Sequence, residues 1–483
     1  MHATQNSQKT IILIPLILTI AACSSNDDSQ KSKLNWAACE DAEAIFECSK
    51  LAVPMDYAAS AANTIDIALI RHRATGDSRL GSLFVNLGGE AGRGVLDVQD
   101  VIAEGILPES IVSTYDIVGF NPRGAVDSTL VDCSDVANTD FNPYPTNVDA
   151  IAQLHADYSA FAIACEAKYG DYLQHIGSLN TARDLERIRI ALGDAQVNFL
   201  AYSFASRVAA LFLQEYPESS GRMVLDASVS PDSSQRALLS EPLAQLQAQL
   251  LSIITECKSS DPDCDPDALV AALAQRLSTL ADSDTEDSLL EFELVFSILE
   301  VFFDEPDLGR EFSSELVEYI NTSDVSVLLR LVGSDEEQDE PEENIIEGDD
   351  GLTVGIATLC ADDSFRPNVE TLVAASEEFN LLSDVFAEIA LSEYASCAGW
   401  PEALAPLSPI TTNTAPTSIV IGGSNDAIAP IEFSEDMAAA IGGVFVRSDH
   451  EGHTSVFFGK SECVDNIVES FFIDGTTPAS EEC

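Results

Sequence analysis

The sequence is poor in basic residues. It contains 23 lysines and arginines against 81 aspartates and glutamates, which gives a formal net charge of −58 at pH 7. Proteins that bind nucleic acid neutralise phosphates with basic side chains, so this composition excludes DNA and RNA as partners. Because the acidic residues are spread along the chain, we attribute the charge to solubility, with attraction of cationic substrates as the alternative.

Long apolar runs are also scarce. The run over residues 11–22 is about a dozen residues long, whereas a membrane-spanning helix needs ~20. It follows Lys9 and ends in Ile20-Ala21-Ala22-Cys23 before a polar segment, which predicts a signal peptide over residues 1–22. These last four residues resemble a bacterial lipobox, which would make Cys23 the lipidated first residue of a lipoprotein; ordinary secretion is the alternative. We therefore predict a tether over 23–35 and a lipid anchor in the cell envelope, with Ser24 favouring the outer membrane, facing periplasm or exterior.

Cysteine pairs with the spacing of metal ligands are absent, so we predict no metal site, and no motif indicates a cofactor. Removing Cys23 from the eleven cysteines leaves ten, an even number that predicts disulfides in an exported protein. Sequence alone leaves the connectivity open. Pairing neighbours is the simplest hypothesis, and it gives Cys39–Cys48, Cys133–Cys165, Cys257–Cys264, Cys360–Cys397 and Cys463–Cys483.

Short apolar strands alternate with helical segments in the first part of the chain. Residues 83–87 and 115–120 are predicted strands, and a helix over 182–192 is capped by Gly193. This alternation predicts an α/β fold, with a mainly parallel sheet flanked by helices. From 231 to 408 the sequence has helical periodicity and little strand signal, and strands resume at 418. We therefore predict a core over 36–230 and 409–483, with a large helical cap inserted over 231–408.

The most informative segment is residues 197–205. An apolar, strand-like run delivers Ser203 onto a tight corner, and an alanine-rich helical pattern follows it. This is the layout of a nucleophile elbow, in which strained backbone holds a serine between a strand and a helix. The usual elbow has glycine two residues before and after the serine, where this chain has Ala201 and Ala205. Ser203 could instead be a helix N-cap, and Ser206, one turn into the helix, is the second candidate nucleophile.

A serine hydroxyl becomes a strong nucleophile when a base removes its proton, and a carboxylate orients that base. Asp426 follows a later predicted strand, and His453 follows the last one, which is the order found in α/β-hydrolases. Because the carboxyl ends of parallel strands meet at one edge of a sheet, these side chains are predicted to converge on Ser203. Asp226, also at a strand end, is the rival acid. His450 is the rival base and is expected to be a solvated neighbour in the same loop.

Acyl transfer also requires amide donors aimed at the oxyanion that develops in the transition state. The glycine-rich segment 88–92 follows a predicted strand and could supply one N–H group. Phe204, directly after the candidate nucleophile, could supply the other. A Gly-Gly pair is most often only a turn, but its place after the third strand of the pattern favours the oxyanion role.

The motifs together resemble those of the exported α/β-hydrolases of the prolyl and tripeptidyl aminopeptidase group, with their TAP-like C-terminal segment. The resemblance covers nearly the whole mature chain. At the N-terminus, the family pattern W…C…C…VPLDY is matched by Trp36, Cys39, Cys48 and Val53-Pro54-Met55-Asp56-Tyr57. The family patterns NPGGPG, VGFDPRG and TxxxADLexlR are matched by residues 86–89, 118–124 and 181–189, and the family's C-terminal segment by Asp426, Gly452-His453, Cys463 and Cys483. It implies Ser203 as nucleophile, Asp426 as orienting acid and His453 as general base. It also implies Gly89 and Phe204 as oxyanion donors, and a cap that selects peptides with a free N-terminus.

The chain departs from the family pattern at several positions. Glu90 stands where the family has the proline of GGPG, which places a carboxylate beside the predicted oxyanion hole. There it could disturb the transition state or pair with a substrate ammonium, and we assign it to substrate binding. Asn121 replaces an aspartate, which we interpret as a structural change near Arg123. Ala201 and Ala205 each add a methyl group where strand and helix approach closely.

The sequence therefore predicts a serine hydrolase that forms an acyl-enzyme. The favoured function is an aminopeptidase that releases amino acids or short peptides in the cell envelope. A carboxylic-ester hydrolase is the alternative, because the same triad serves both reactions and the cap decides between them. A catalytically weak binding lipoprotein is the third hypothesis. The expected partners are a small peptide or ester and, through the lipid anchor, a membrane.

Overall fold

The computed structural model of the 483-residue chain describes residues 34–40, 42–59, 63–231, 234–283, 285–331, 351–412, 418–479 and 481–483. The predicted signal peptide, Cys23 and most of the tether lie outside these ranges. Within them, no helix combines the length and the apolar character that crossing a membrane requires.

Ten strands of the described residues form one sheet in the order β1-β2-β3-β5-β4-β6-β7-β8-β9-β10. They are β1 (Ala37–Ala38), β2 (Phe46–Pro54), β3 (Thr64–His72), β4 (Gly81–Asn86), β5 (Tyr115–Phe120), β6 (Val197–Tyr202), β7 (Ser220–Asp226), β8 (Ser418–Asn425), β9 (Val444–Glu451) and β10 (Glu481–Glu482). Strands β1, β2 and β3 pair antiparallel, and β3 is antiparallel to β5, whereas all other neighbours run parallel. This is the predicted mainly parallel sheet of an α/β-hydrolase fold.

Helices cover both faces of the sheet. They are α1 (Gly94–Ala103), α2 (Glu109–Thr114), α3 (Val148–Tyr169), α4 (Ser178–Leu192), α5 (Ala205–Glu215), α6 (Gln235–Thr255), α7 (Cys257–Ser260), α8 (Pro266–Ala281), α9 (Glu286–Asp304), α10 (Pro306–Glu311), α11 (Ser313–Thr322), α12 (Val325–Leu331), α13 (Leu352–Asp362), α14 (Val369–Phe379), α15 (Ala387–Ala395), α16 (Ile431–Ile441) and α17 (Glu462–Asp474). Successive side chains of a strand point to opposite faces. Leu83 and Val85 of β4 accordingly pack in one hydrophobic cluster and Phe84 in the other, which explains the unbroken apolar run.

Helices α6 to α15 lie between β7 and β8 and form a layer of their own, which we call the cap. Buried cap residues such as Leu243, Leu273 and Phe303 belong to the same hydrophobic cluster as Phe84 and Phe199 of the sheet. Because cap and sheet share one continuous core, their relative position is fixed by burial of apolar side chains.

The structure contains all five disulfides between neighbouring cysteines: Cys39–Cys48, Cys133–Cys165, Cys257–Cys264, Cys360–Cys397 and Cys463–Cys483. The last of these holds the C-terminus, where β10 pairs with β9, against helix α17.

A fully buried ion pair connects three of the sequence motifs. Arg123 follows β5, and its guanidinium donates to both carboxylate oxygens of Asp184 in α4 at 2.8 and 2.7 Å, with both side chains 0% exposed. The hydroxyl of Tyr57 donates to the same carboxylate at 2.7 Å. Arg123 also donates to the backbone carbonyls of Met55 and His175. This network fastens the N-terminal segment and α4 to the sheet beside the strand ends.

Replacing Arg123 by methionine should leave Asp184 as an uncompensated buried charge and destabilise the protein by about 3–5 kcal/mol. Arg330→Met is the control, because Arg330 and Glu318 form a pair at 3.9 Å with both side chains 56% exposed. That change should cost less than ~1 kcal/mol. Denaturant unfolding of both variants checks the prediction, which equal losses would contradict.

Candidate active site

Ser203 lies at the junction of β6 and α5 with a φ of 49°. This left-handed backbone costs a residue with a side chain roughly 1–2 kcal/mol. Neighbouring hydrogen bonds hold it: the Ser203 N–H donates to the carbonyl of Asp226 at 2.9 Å, and the Ser206 N–H donates to the carbonyl of Ser203 at 3.0 Å. The helix N-cap is Phe204 rather than Ser203. Ser203 thus has the strained geometry of a nucleophile elbow.

Ser206 is placed for a structural role. Its side chain is 0% exposed, and its hydroxyl accepts a hydrogen bond from the backbone N–H of Val229 at 3.1 Å. A substrate cannot reach this oxygen, so Ser203 is the better candidate nucleophile of the two.

The two alanines of the elbow are buried in the tight space between strand and helix. Ala201 lies in β6 between Asn86 of β4 and Leu225 of β7. Ala205 is one of the residues that line a small cavity of about 20 Å³. The side chains of Ala201 and Ala205 are both buried, at 0% and 3% exposure.

Asp426 and His453 meet directly. The Nδ1 atom of His453 lies 2.9 Å from Oδ2 of Asp426, and Asp426 is buried. Its other oxygen accepts the N–H groups of Ile428 and Ala429 at 2.9 and 2.8 Å, which fixes the carboxylate in one orientation. An ionised carboxylate only accepts hydrogen bonds, so we assign the imidazole proton to Nδ1. The Nε2 atom is then free to act as a base.

The charge of Asp426 also determines the basicity of His453. Burial by itself disfavours the imidazolium, but the Coulombic attraction of Asp426 and its hydrogen bond outweigh burial. Asp304 and Asp226 add to this attraction. The pKa of His453 is therefore raised above its ordinary value of 6.5.

His450 is not the solvated loop residue expected from the sequence; that prediction was wrong. Strand β9 continues to Glu451, so His450 lies within the strand and is only 6% exposed. Its Nδ1 atom is 2.8 Å from the hydroxyl of Ser448, and its ring packs against Gly423 of β8. Burial lowers the pKa of His450, which keeps the ring neutral. His450 therefore packs the strands together, and His453 is the candidate base.

The loop after β4 crosses directly above the nucleophile. Gly88 and Gly89 have φ values of 112° and 75°, and a Cβ atom on Gly88 would lie 3.0 Å from the Cβ of Ser203. The Gly88 N–H donates to the side chain of Asn86. In the described part of the chain, the N–H groups of Gly89 and Phe204 have no acceptor. They are available as oxyanion donors.

A cavity of about 310 Å³ opens beside Ser203 beneath the cap. Its polar lining comes from Glu90, Gln235 and Glu393, and its apolar lining comes from Val229, Leu238, Leu239, Leu359, Ile428, Ala429 and Phe433. The side chain of Glu393 is exposed to this cavity, and desolvation beneath the cap, with repulsion from Glu90 and Glu300, raises its pKa to about 7. The site therefore joins an apolar pocket to a group of carboxylates that repel one another.

The cap rests on the loop that carries the histidine. Lys460 donates to the backbone carbonyl of His453 at 2.9 Å and to that of Asp304, the last residue of α9, at 2.8 Å. A side chain at Gly452 would collide with the same Asp304 carbonyl, since a Cβ there would lie 1.9 Å from it. Lys460 was not among the site residues predicted from the sequence, although a lysine seven residues after the histidine is conspicuous in so acidic a chain.

Gln235 and Glu393 were not predicted from the sequence either. Both belong to the helical cap, in α6 and α15, and reach the cavity through tertiary packing. In the sequence they are ordinary polar residues of amphipathic helices, and no local signal distinguishes them.

The base must be neutral to accept a proton, so kcat/KM should fall as the pH drops through the raised pKa of His453. Asp426→Asn removes the charge and favours the wrong tautomer, and it should lower kcat by about 10⁴-fold and shift the acid limb to lower pH. Asp436→Asn, on the exposed side of α16, is the matched control and should change neither. If the Asp426→Asn variant retains activity and the acid limb of its pH profile does not shift, the assignment of Asp426 as the orienting acid is contradicted.

Gly88→Ala should disturb the elbow, because the new methyl group would press on Ser203 and on the carbonyl of Tyr202. We expect kcat to fall about 100-fold. Gly105→Ala is the control: Gly105 also has a positive φ, of 67°, but its Cβ would point into open space. Steady-state kinetics and thermal unfolding of both variants separate backbone strain from contact with the nucleophile. Equal losses of kcat would refute the contact.

Comparison with known proteins agrees with the geometry. A family model described as TAP-like protein matches residues 383–483. The serine protease Hip1 of Mycobacterium tuberculosis is 28% identical over 464 residues, covering 90% of this chain and 86% of that protein. Carboxylesterase B of the same species is 26% identical over 454 residues, covering 89% and 85%. A tripeptidyl aminopeptidase of Streptomyces coelicolor is 33% identical over 195 residues, or 38% of this chain and 36% of that one. Together with the topology of the sheet, these similarities support a TAP-like α/β-hydrolase, and the chain is a serine hydrolase with the α/β-hydrolase fold.

Proposed function

We propose that the chain is an aminopeptidase that uses Ser203, His453 and Asp426 to release short N-terminal peptides or single amino acids. The observation that carries the proposal is the composition of the cavity beside Ser203. Its apolar walls suit a side chain, and the carboxylates of Glu90 and Glu393 suit a positively charged group. The amino terminus of a peptide combines these two features.

In the proposed reaction, His453 takes the hydroxyl proton of Ser203 while the oxygen attacks the scissile carbonyl. The N–H groups of Gly89 and Phe204 stabilise the resulting oxyanion. His453 then gives its proton to the leaving amine, and the acyl-enzyme forms. Water enters, His453 activates it in the same way, and the released carboxylic acid leaves Ser203 free.

The polar lining supports recognition of an ammonium group. Gln235 is 2% exposed, and its Oε1 atom has no hydrogen-bond partner among the described residues. A buried acceptor without a donor costs free energy that a ligand donor can recover. An ammonium has three N–H donors, which Gln235, Glu90 and Glu393 together can satisfy. Glu300 in α9 adds negative potential, since its charge reaches Glu393.

The relatives support cleavage of either peptides or esters. Hip1 is named as a serine protease and the Streptomyces protein as a tripeptidyl aminopeptidase, while carboxylesterase B is named for ester cleavage. A pocket for esters alone gains nothing from repelling carboxylates, so the acidic lining favours the peptidase. We also propose that Cys23 carries a lipid that anchors the enzyme in the cell envelope, as the N-terminal sequence predicts.

Glu393→Gln should lower kcat/KM for a tripeptidyl p-nitroanilide with a free amino terminus by about 10- to 100-fold, because one charge that pairs with the ammonium is lost. Hydrolysis of p-nitrophenyl butyrate, which lacks an ammonium, should be unaffected. Glu388→Gln is the matched control: Glu388 lies in the same helix, accepts a hydrogen bond from Asn380, and does not line the cavity.

The same measurement on the N-acetylated peptide tests the assignment in the wild-type protein. We expect acetylation to lower kcat/KM as much as Glu393→Gln does, and the two changes together to cost no more than either alone. Cleavage of the ester with no cleavage of any free peptide would defeat the aminopeptidase proposal in favour of an esterase. Failure of a fluorophosphonate to label Ser203 at neutral pH would defeat both and favour a binding protein.

A further inference from the structure

The loop that carries His453 is strained. Thr454 and Phe457 have φ values of 59° and 64°, in the left-handed region that residues with side chains rarely adopt. Thr454 is β-branched, which makes this backbone still less favourable. Such a conformation persists only where surrounding contacts determine it. The histidine therefore depends on whatever holds residues 454 to 457 in place.

The carboxylate of Asp226 supplies the principal contacts. Its Oδ2 atom accepts the backbone N–H groups of Ser455 and Val456 at 2.7 and 2.8 Å, and its Oδ1 atom lies 3.3 Å from the Ser455 hydroxyl. Asp226 is 0% exposed. Nearby, Asp465 accepts the N–H of Phe457 at 2.6 Å. Hydrogen bonds to an ionised acceptor are stronger than neutral ones, so Asp226 can hold a backbone that local preferences oppose.

The same residue also contacts the nucleophile elbow. Asp226 ends β7, and its backbone carbonyl accepts the N–H of Ser203 at 2.9 Å. Its neighbour across the sheet, Tyr202, donates its hydroxyl to the carbonyl of Val456 at 3.0 Å. Asp226 thus fixes two segments. Its backbone carbonyl holds the segment that carries the serine, and its side chain holds the segment that carries the histidine. Asp426 contacts the imidazole itself but has no such contact with the elbow.

We propose that Asp226 is a positioning residue, whose carboxylate holds the His453 loop in register with Ser203. The proposal rests on the triad of the proposed function. Its hydrogen bonds go to the backbone N–H groups of Ser455 and Val456, whereas the Nδ1 atom of the imidazole bonds to Asp426, so Asp226 positions the histidine through the backbone in addition to its Coulombic attraction for the ring. The role explains why a carboxylate is retained in a buried position. Asp226, the alternative orienting acid suggested by the sequence, is in this proposal a second carboxylate with a positioning role.

Asp226→Ala should lower kcat for p-nitrophenyl butyrate about 100-fold with KM nearly unchanged, because the histidine loses its position and the cavity does not change. Asp226→Asn should lose less, since its amide oxygen can still accept both N–H groups. Asp116→Ala is the matched control: Asp116 is a buried carboxylate that accepts the N–H of Ala74, near the start of β5 at the opposite end of the sheet. This control should lose stability and keep kcat.

The decisive comparison uses a background without the histidine. In His453→Ala, the residual esterase activity depends on the oxyanion donors and binding. If Asp226 acts through His453, Asp226→Ala should have almost no further effect on kcat in that background. An equal fold loss in the presence and absence of His453 would overturn the proposal and leave Asp226 with a role in general stability only. A loss larger than that of Asp426→Ala would overturn it in favour of Asp226 as the orienting acid.

Two further outcomes keep the test decisive. If Asp226→Ala does not fold, Asp226→Asn in the two backgrounds decides, and an unchanged kcat in the folded variant counts against the proposal. Ser203→Ala is assayed in parallel. Full activity of that variant would defeat the proposed triad itself, whereas its inactivity combined with an additive Asp226 effect would defeat this inference alone.

Discussion

Ser203 keeps its left-handed backbone because both segments that flank it are fixed in the buried interior. Strand β6 pairs with β4 and β7 at the middle of the sheet, and α5 packs its alanines and leucines against the same core. The residue cannot relax without disturbing one of them, and the carbonyl of Asp226 binds its N–H group. This constraint explains the rest of the site. Gly88 must be glycine to pass over the serine, and the N–H of Phe204 is left without a helical acceptor because the chain turns there.

The cap contributes to the active site as well as covering it. Its apolar residues are continuous with the core of the sheet, so it is held as firmly as a domain interior. From that position α9 brings Asp304 onto Gly452 and Lys460, while α15 brings Glu393 into the cavity. Histidine loop, cap and cavity are therefore mechanically connected. Changes in the cap can alter the position of the base as well as the choice of substrate.

Much of this site was predictable because its signals are local. The strand Tyr115–Phe120 has the bounds that its apolar pattern predicts, and the elbow at Ser203 is marked by the switch from strand to helix. The placement of Ser203, Asp426 and His453 after strands that end at one edge follows from the parallel order of the strands, and Asp426 and His453 are in contact. Burial of His450 was not predictable, because nothing in the sequence marks β9 as continuing to Glu451. The roles of Gln235, Glu393 and Lys460 depend on how ten cap helices pack, which local patterns do not encode.

The departures from the family pattern have physical explanations in the structure. The alanines of the elbow are both buried, and Ser203 between them has the left-handed backbone of a nucleophile elbow, with a φ of 49°. Glu90 lines the cavity near Glu393, and their repulsion helps raise the pKa of Glu393 to about 7. The cavity is thus electrostatically unfavourable until a cation enters it. Under the proposed function, an ammonium bound between the two glutamates balances this local charge. Under that proposal the acidic lining favours a positively charged substrate, while hydrolysis of an ester that lacks an ammonium does not depend on it.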